Sequence, residues 1–129
     1  IERIWSKMPT IVFVDDEKDF LELICPRIEK WGYTVVAFTE GLKAIEYLNG
    51  HKPDLLLLDL GLPDVSGMKV LLEAKNRYPG LSVWIVSAYY NDHDIRAQAA
   101  QLKADDFVPK PLDPVELKAR LRKYFKDKG

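Results

Sequence analysis

Cysteine is nearly absent. Cys25 stands alone among 129 residues, which excludes an internal disulfide framework and fits a reducing compartment. Neither sign of charge is in excess: 19 Lys and Arg against 20 Asp and Glu leave a net charge of -1. That balance argues against a general grip on nucleic acid, which needs a basic surface. No apolar run approaches the ~20 residues of a membrane-spanning helix, and the first residues, Ile1 to Lys7, are mixed and charged rather than leader-like. Neither direct nucleic-acid binding nor a membrane role is expected, and the expected location is cytoplasmic. What the chain does have is length for one domain with a proper core and five short apolar segments.

The segment that organises the rest is Leu55-Leu56-Leu57-Leu58-Asp59. Four leucines in a row read as a strand buried on both faces, the habit of a central parallel strand. Asp59 then falls at its C-terminal tip, where open α/β sheets place ligand chemistry; an aspartate there also serves simply to start a turn. Residues 1–9 show no period and are set aside as an extension, leaving residues 10–127 as the domain. Strands are expected at 11–14, 33–38, 55–58, 81–86 and 106–108. Helices are expected between them: one with Phe20, Leu23, Ile24, Ile28 and Trp31 inward and Gly32 at its end, kinked or broken by Pro26; one capped by Thr39 with Leu42, Ile45 and Leu48 inward; one capped by Ser66; one begun by Asn91 or Asp92; and one begun by Asp113-Pro114-Val115-Glu116, an acidic cap with Pro first and Glu third. Five βα units in strict alternation imply a single doubly wound α/β domain, a parallel sheet with helices on both faces.

In such a sheet all C-terminal strand ends share one edge. That edge collects Asp15 and Asp16, Asp59, Ser87 and Lys110. Each has a dull use, as helix cap, turn or surface lysine, but together they place matched chemistry at four strand ends. Three close carboxylates repel one another unless a cation intervenes, and oxygen-only ligands suit Mg²⁺, or Mn²⁺. An aspartate beside such an ion can act as a nucleophile towards a phosphoryl group, whose charge a lysine neutralises and a hydroxyl hydrogen-bonds.

The pieces Val14-Asp15-Asp16-Glu17, Leu58-Asp59 with Pro63-Asp64 and Ser66-Gly67, Val86-Ser87-Ala88, and Asp105-Asp106-Phe107 with Lys110-Pro111 together resemble response-regulator receiver domains of two-component signalling. The resemblance covers Thr10 to Phe125. It implies a five-stranded sheet in the flavodoxin-like order 2-1-3-4-5. It implies that Asp59 accepts a phosphoryl group from a sensor histidine kinase or phosphotransfer protein, that Asp15, Asp16, Asp59 and the Gly61 carbonyl hold Mg²⁺, and that Ser87 and Lys110 contact the phosphoryl oxygens. It further implies a cis Lys110-Pro111 bond.

The resemblance also implies a switch, in which Ser87 moves inward and Phe107, replacing the commoner tyrosine, turns into the space. The fourth helix, fifth strand and fifth helix then form the face that controls an output domain or target, with a phosphorylation-promoted homodimer pairing Arg96 with Glu116 and Asp106 with Arg120. Gly61 and Tyr89 are expected to set the lifetime of the phosphoryl group. Lys103 stands where the family commonly has glycine, so a less regular end to the fourth helix is expected. The competing readings are weaker. A flavin carrier needs a phosphate loop after the first strand, where this chain has three acids. A dehalogenase-like phosphatase usually carries its nucleophile in an Asp-x-Asp motif on the first strand, and the residues there, Val14-Asp15-Asp16-Glu17, do not form one. A pseudo-receiver acting without phosphorylation does not need the intact acidic set. The protein is expected to be a signalling phosphoacceptor rather than a turnover enzyme.

Overall fold

The computed structural model describes residues 8–89 and 91–128. The first seven residues of the expected extension lie outside the described part. The elements run β1 (Thr10–Val14), α1 (Lys18–Lys30), β2 (Thr34–Phe38), α2 (Gly41–Gly50), β3 (Leu55–Leu58), α3 (Gly67–Arg77), β4 (Val83–Ser87), α4 (His93–Gln101), β5 (Asp106–Pro109) and α5 (Pro114–Lys128). The five strands are parallel in the order β2-β1-β3-β4-β5, as expected.

The leucine run shows why both faces are covered. Successive side chains of a strand point to opposite faces. Leu55 and Leu57 join Ile11, Phe13, Trp84 and Val86 under α1 and α5, while Leu56 and Leu58 join Val12, Val14, Val83 and Ile85 under α2, α3 and α4. All four leucines are fully buried, and each such burial is worth roughly 1.5–3 kcal/mol.

Several local expectations need correcting. Leu21, not Leu23, faces the core from α1; Leu23 is 75% exposed. Apolar residues at 20, 21, 23 and 24 allow two helical phases, and packing against Phe13 and Tyr33 selects the one with Leu21, Ile24 and Ile28 inward. Pro26 does not break α1, which runs through it from Lys18 to Lys30. Both Pro26 and Glu22, whose carbonyl lacks its usual partner, lie on the exposed side where water can serve. Thr39 is not the cap of α2. That position is Glu40, and its side chain makes no cap bond. Leu42 is exposed, and Ala44 with Leu48 fills the core position instead. Finally, α4 ends regularly. Lys103 takes φ of 74°, but its amide reaches the Ala100 carbonyl and the Ala104 amide reaches Ala99, both at 3.0 Å. That is a Schellman closure made with lysine in the glycine position.

Candidate functional site

The ladder continues one residue beyond the strands and so fixes the site. Val14 pairs with Leu58 in register; beyond them the Asp59 amide donates to the Val14 carbonyl at 2.8 Å, and the Asp15 amide to Phe38 at 3.0 Å. Asp15 and Asp59 are thereby held side by side at the tips of the two central strands. Ser87 ends β4 beside them, and the Lys110 amide donates to the Ser87 carbonyl at 3.0 Å, bringing the lysine from β5 to the same edge. The Lys110-Pro111 bond is cis.

One ammonium serves several carboxylates. Lys110 Nζ lies 2.7 Å from Asp15 Oδ2, 3.1 Å from Glu17 Oε1 and 3.5 Å from Asp59 Oδ2. Asp15 is fully buried, and its Oδ1 accepts the Glu17 amide at 2.9 Å. Burial pushes the Asp15 carboxyl above its ordinary pKa despite the opposing pull of Lys110 and that amide. Asp16 is more open, yet partial desolvation, then the Asp59 charge, push it the same way. Burial alone would lower the Lys110 pKa; its bonds to Asp15 and Glu17 and the surrounding negative charge outweigh this and raise it.

Carboxylate oxygens of Asp15, Asp16 and Glu17 lie within 4.8 Å of one another. Asp15 Oδ2 is buried and has no aligned hydrogen-bond donor, only the ion pair with Lys110. A buried oxygen with unused lone pairs in an all-oxygen cluster fits a hard divalent cation such as Mg²⁺. Glu17 was not among the sequence-derived site residues. Its place in the Asp15-Asp16-Glu17 run was visible, but its reach to a lysine 93 positions away was not.

The flanking residues stand as follows. The Ser87 hydroxyl is buried and accepts the Tyr89 amide at 2.9 Å. The Gly61 amide donates to Asp59 Oδ1 at 3.2 Å; a Cβ on Gly61 would find that oxygen 4.0 Å away and nothing nearer. Tyr89 is 67% exposed. Phe107 is half-buried against the α2–α3–α4 side of the core, and the Arg96 guanidinium sits 4.4 Å over its ring. Arg120 grips two acids of its own chain, Asp106 at 2.8 Å and Glu116 at 3.0 Å. The structure thus gathers Asp15, Asp16, Asp59 and Lys110 into one contact network, and sets Arg96, Asp106, Glu116 and Arg120 apart from it on the α4–β5–α5 face.

Comparison with known proteins agrees with this geometry. The family model of the response regulator receiver domain matches residues 11–122. The transcriptional regulatory protein CreB of Escherichia coli is 32% identical over 113 residues, 88% of this chain and 49% of CreB. The response regulator DrrB, a Thermotoga maritima OmpR/PhoB homolog, superposes with a TM-score of 0.80 at 28% identity, covering 94% of this chain and 54% of that one. A CheY-like receiver domain from Methanospirillum hungatei gives a TM-score of 0.87 at 23% identity over 93% of this chain and 95% of that one, which speaks for the fold. The chain spans about half the length of the curated relatives it matches. With its sheet order, its acidic strand tips and the match over residues 11–122, this chain belongs to the response regulator receiver domain family.

Proposed function

We propose that the chain is a working phosphoacceptor, taking a phosphoryl group onto Asp59 from a sensor histidine kinase or phosphotransfer protein. The observation that carries this reading is the imbalance at the sheet edge, where one ammonium contacts three carboxylates and two neighbouring aspartates, Asp15 and Asp16, titrate high. An Asp59 oxygen attacks phosphorus; the new P–O bond forms as the donor's P–N bond breaks, and the leaving nitrogen keeps that electron pair. Bound Mg²⁺ or Mn²⁺ supplies positive charge and orientation to the phosphoryl oxygens. Asp15, Asp16, Asp59 and the Gly61 carbonyl would hold it. Lys110 exchanges its Asp15 contact for a phosphoryl oxygen. Ser87 uses its oxygen to accept the Tyr89 amide, which leaves its proton to donate. The domain modifies itself and does not turn over a substrate.

The output follows from the other face. Inward rotation of Phe107 gives up the Arg96 contact, about 0.5–1 kcal/mol at an exposed site, so phosphorylation shifts a population between two states. A phosphorylated dimer pairing Arg96 with Glu116 and Asp106 with Arg120 requires Arg120 to trade its intrachain partners for those of a second copy. Gly61 offers no side chain to orient an attacking water, and Tyr89 shields the site rim, giving slow self-dephosphorylation that Tyr89→Ala quickens. An output domain or target and a cytoplasmic location complete the reading; among the described residues no helix is long and apolar enough to cross a membrane.

Incubation with a small phosphodonor and Mg²⁺ should add one phosphoryl mass to the intact protein and none to Asp59→Asn; a wild type that gains no mass contradicts the reading. Size-exclusion chromatography with beryllofluoride and Mg²⁺ should show a dimer, and an unchanged monomer at high concentration would remove the dimer from it.

A further inference from the structure

The loop carrying Asp59 and Gly61 is tied to a different element, the N-terminus of α2. The Asp64 carboxylate accepts the Gly41 amide at 2.8 Å and the Leu42 amide at 2.9 Å. These are first-turn N–H groups, which find no partner inside their own helix. The local cap position does not serve them: Glu40 makes no side-chain cap bond, and the first turn of α2 holds no acid. The apolar part of the same junction is equally close. A Cβ at Gly41 would lie 2.5 Å from Val65 Cγ2 and 3.1 Å from Leu62 Cδ1, so the start of α2 and the loop meet without spare room.

The far end of the loop is anchored as firmly. The Gly67 amide donates to the Leu60 carbonyl at 3.1 Å, and a Cβ there would meet Leu60 Cα at 2.5 Å. Between these two anchors Gly61 is exposed, with no close packing of its own. Its position is inherited from the anchors. A cap formed within α2 would serve that helix alone, whereas one formed from more than 20 residues away also holds the loop. The amides of Leu42 and then Gly41 keep the Asp64 pKa below its ordinary value against the opposing effect of desolvation, so the carboxylate stays ionised against the positive end of the helix.

We propose that Asp64 is a positioning residue for the phosphoryl and metal site: by capping α2 across the loop, it holds the Gly61 carbonyl and the Asp59 carboxylate in place. The inference rests on the function proposed above. It separates two roles that one aspartate performs, closing a helix and setting a ligand, and they can be measured apart.

Mg²⁺ binding is followed by NMR amide shifts, with thermal melts in parallel, for the wild-type chain, Asp64→Ala, Asp64→Asn and Lys43→Gly. Lys43 is exposed in α2, and glycine there weakens the helix without touching the loop. Asp64→Ala is expected to weaken Mg²⁺ binding about tenfold, the lower end for losing a group that orients a ligand. Asp64→Asn, whose amide oxygen still accepts, recovers most of the affinity. Lys43→Gly keeps wild-type affinity while melting lower. Wild-type affinity in Asp64→Ala overturns the proposal, and so does an equal loss in Lys43→Gly, which would make the effect one of stability alone. A wild-type chain that binds no Mg²⁺ overturns the reading of the site itself, a separate failure.

Discussion

Two lysines sit at opposite ends of the sheet, each largely buried and each 2.7 Å from an aspartate. Lys75, on α3, reaches Asp105 Oδ2 at 2.7 Å and the Leu81 carbonyl at 2.5 Å, while the Val83 amide donates to the same Asp105 oxygen at 2.8 Å. One cation meets one anion, and backbone groups complete both shells. Lys110, at the C-terminal edge, contacts Asp15, Glu17 and Asp59 with Asp16 close by. There one cation faces four acids, and Asp15 and Asp16 titrate high. The lesson is in the balance. A matched pair fastens α3 to β4 and β5, whereas an unmatched cluster keeps a standing demand for positive charge that a divalent cation can meet.

The comparison breaks if both lysines behave alike on removal. The largest effect is expected for Lys110→Ala, which should slow phosphoryl uptake from a small donor by roughly 10²–10³-fold, the usual loss for one preorganised charge-stabilising group; rapid-quench labelling measures it. Lys75→Met should leave uptake unchanged but cost about 2 kcal/mol in chemical denaturation, since it strands the Leu81 carbonyl and Asp105. Asp105 is partly exposed, so a larger loss is not expected.

Smaller tests sharpen the same contrast. Lys103 lies near the matched pair with φ of 74°, where glycine escapes the left-handed penalty. Lys103→Gly should therefore stabilise by up to ~1 kcal/mol without altering uptake. At the unmatched end, neutralising an acid should help the metal-free fold. The ionised form of Asp16 is disfavoured in the fold because its pKa is raised above 3.8. Asp16→Asn should thus be more stable than wild type near neutral pH, with the advantage fading as pH falls through the raised value and the wild-type carboxyl takes up its proton. The difference is the smallest of the four and is read from paired melts at several pH values; Mg²⁺ should reverse its sign, because the proposed metal site counts the Asp16 carboxylate among its ligands.

How much of this was legible in the sequence follows from range. The strands and the tips bearing Asp15, Asp59, Ser87 and Lys110 are announced by runs of apolar residues and the polar residues ending them, all local signals. The caps Ser66, Asp92 and Asp113 are local too, and each accepts an amide two or three residues on. The cap of α2 was missed because its acceptor is Asp64, 22 to 23 positions downstream, while Thr39 offered a plausible local substitute. Lys75 with Asp105, Lys110 with Glu17 and Arg120 with Asp106 are choices of partner between elements, which only packing makes. Leu21 and Leu23 differ by one phase of a helix, and Phe13 with Tyr33 decided between them.

The account places the phosphoryl group on Asp59 and nowhere else. Borohydride reduction of the protein after treatment with phosphodonor and Mg²⁺, followed by peptide mass mapping, reads that directly, because reduction turns an acyl phosphate into an alcohol. The account predicts the alcohol at position 59 alone. Reduction at Asp15, Asp16 or Asp64, or at no residue, would contradict it.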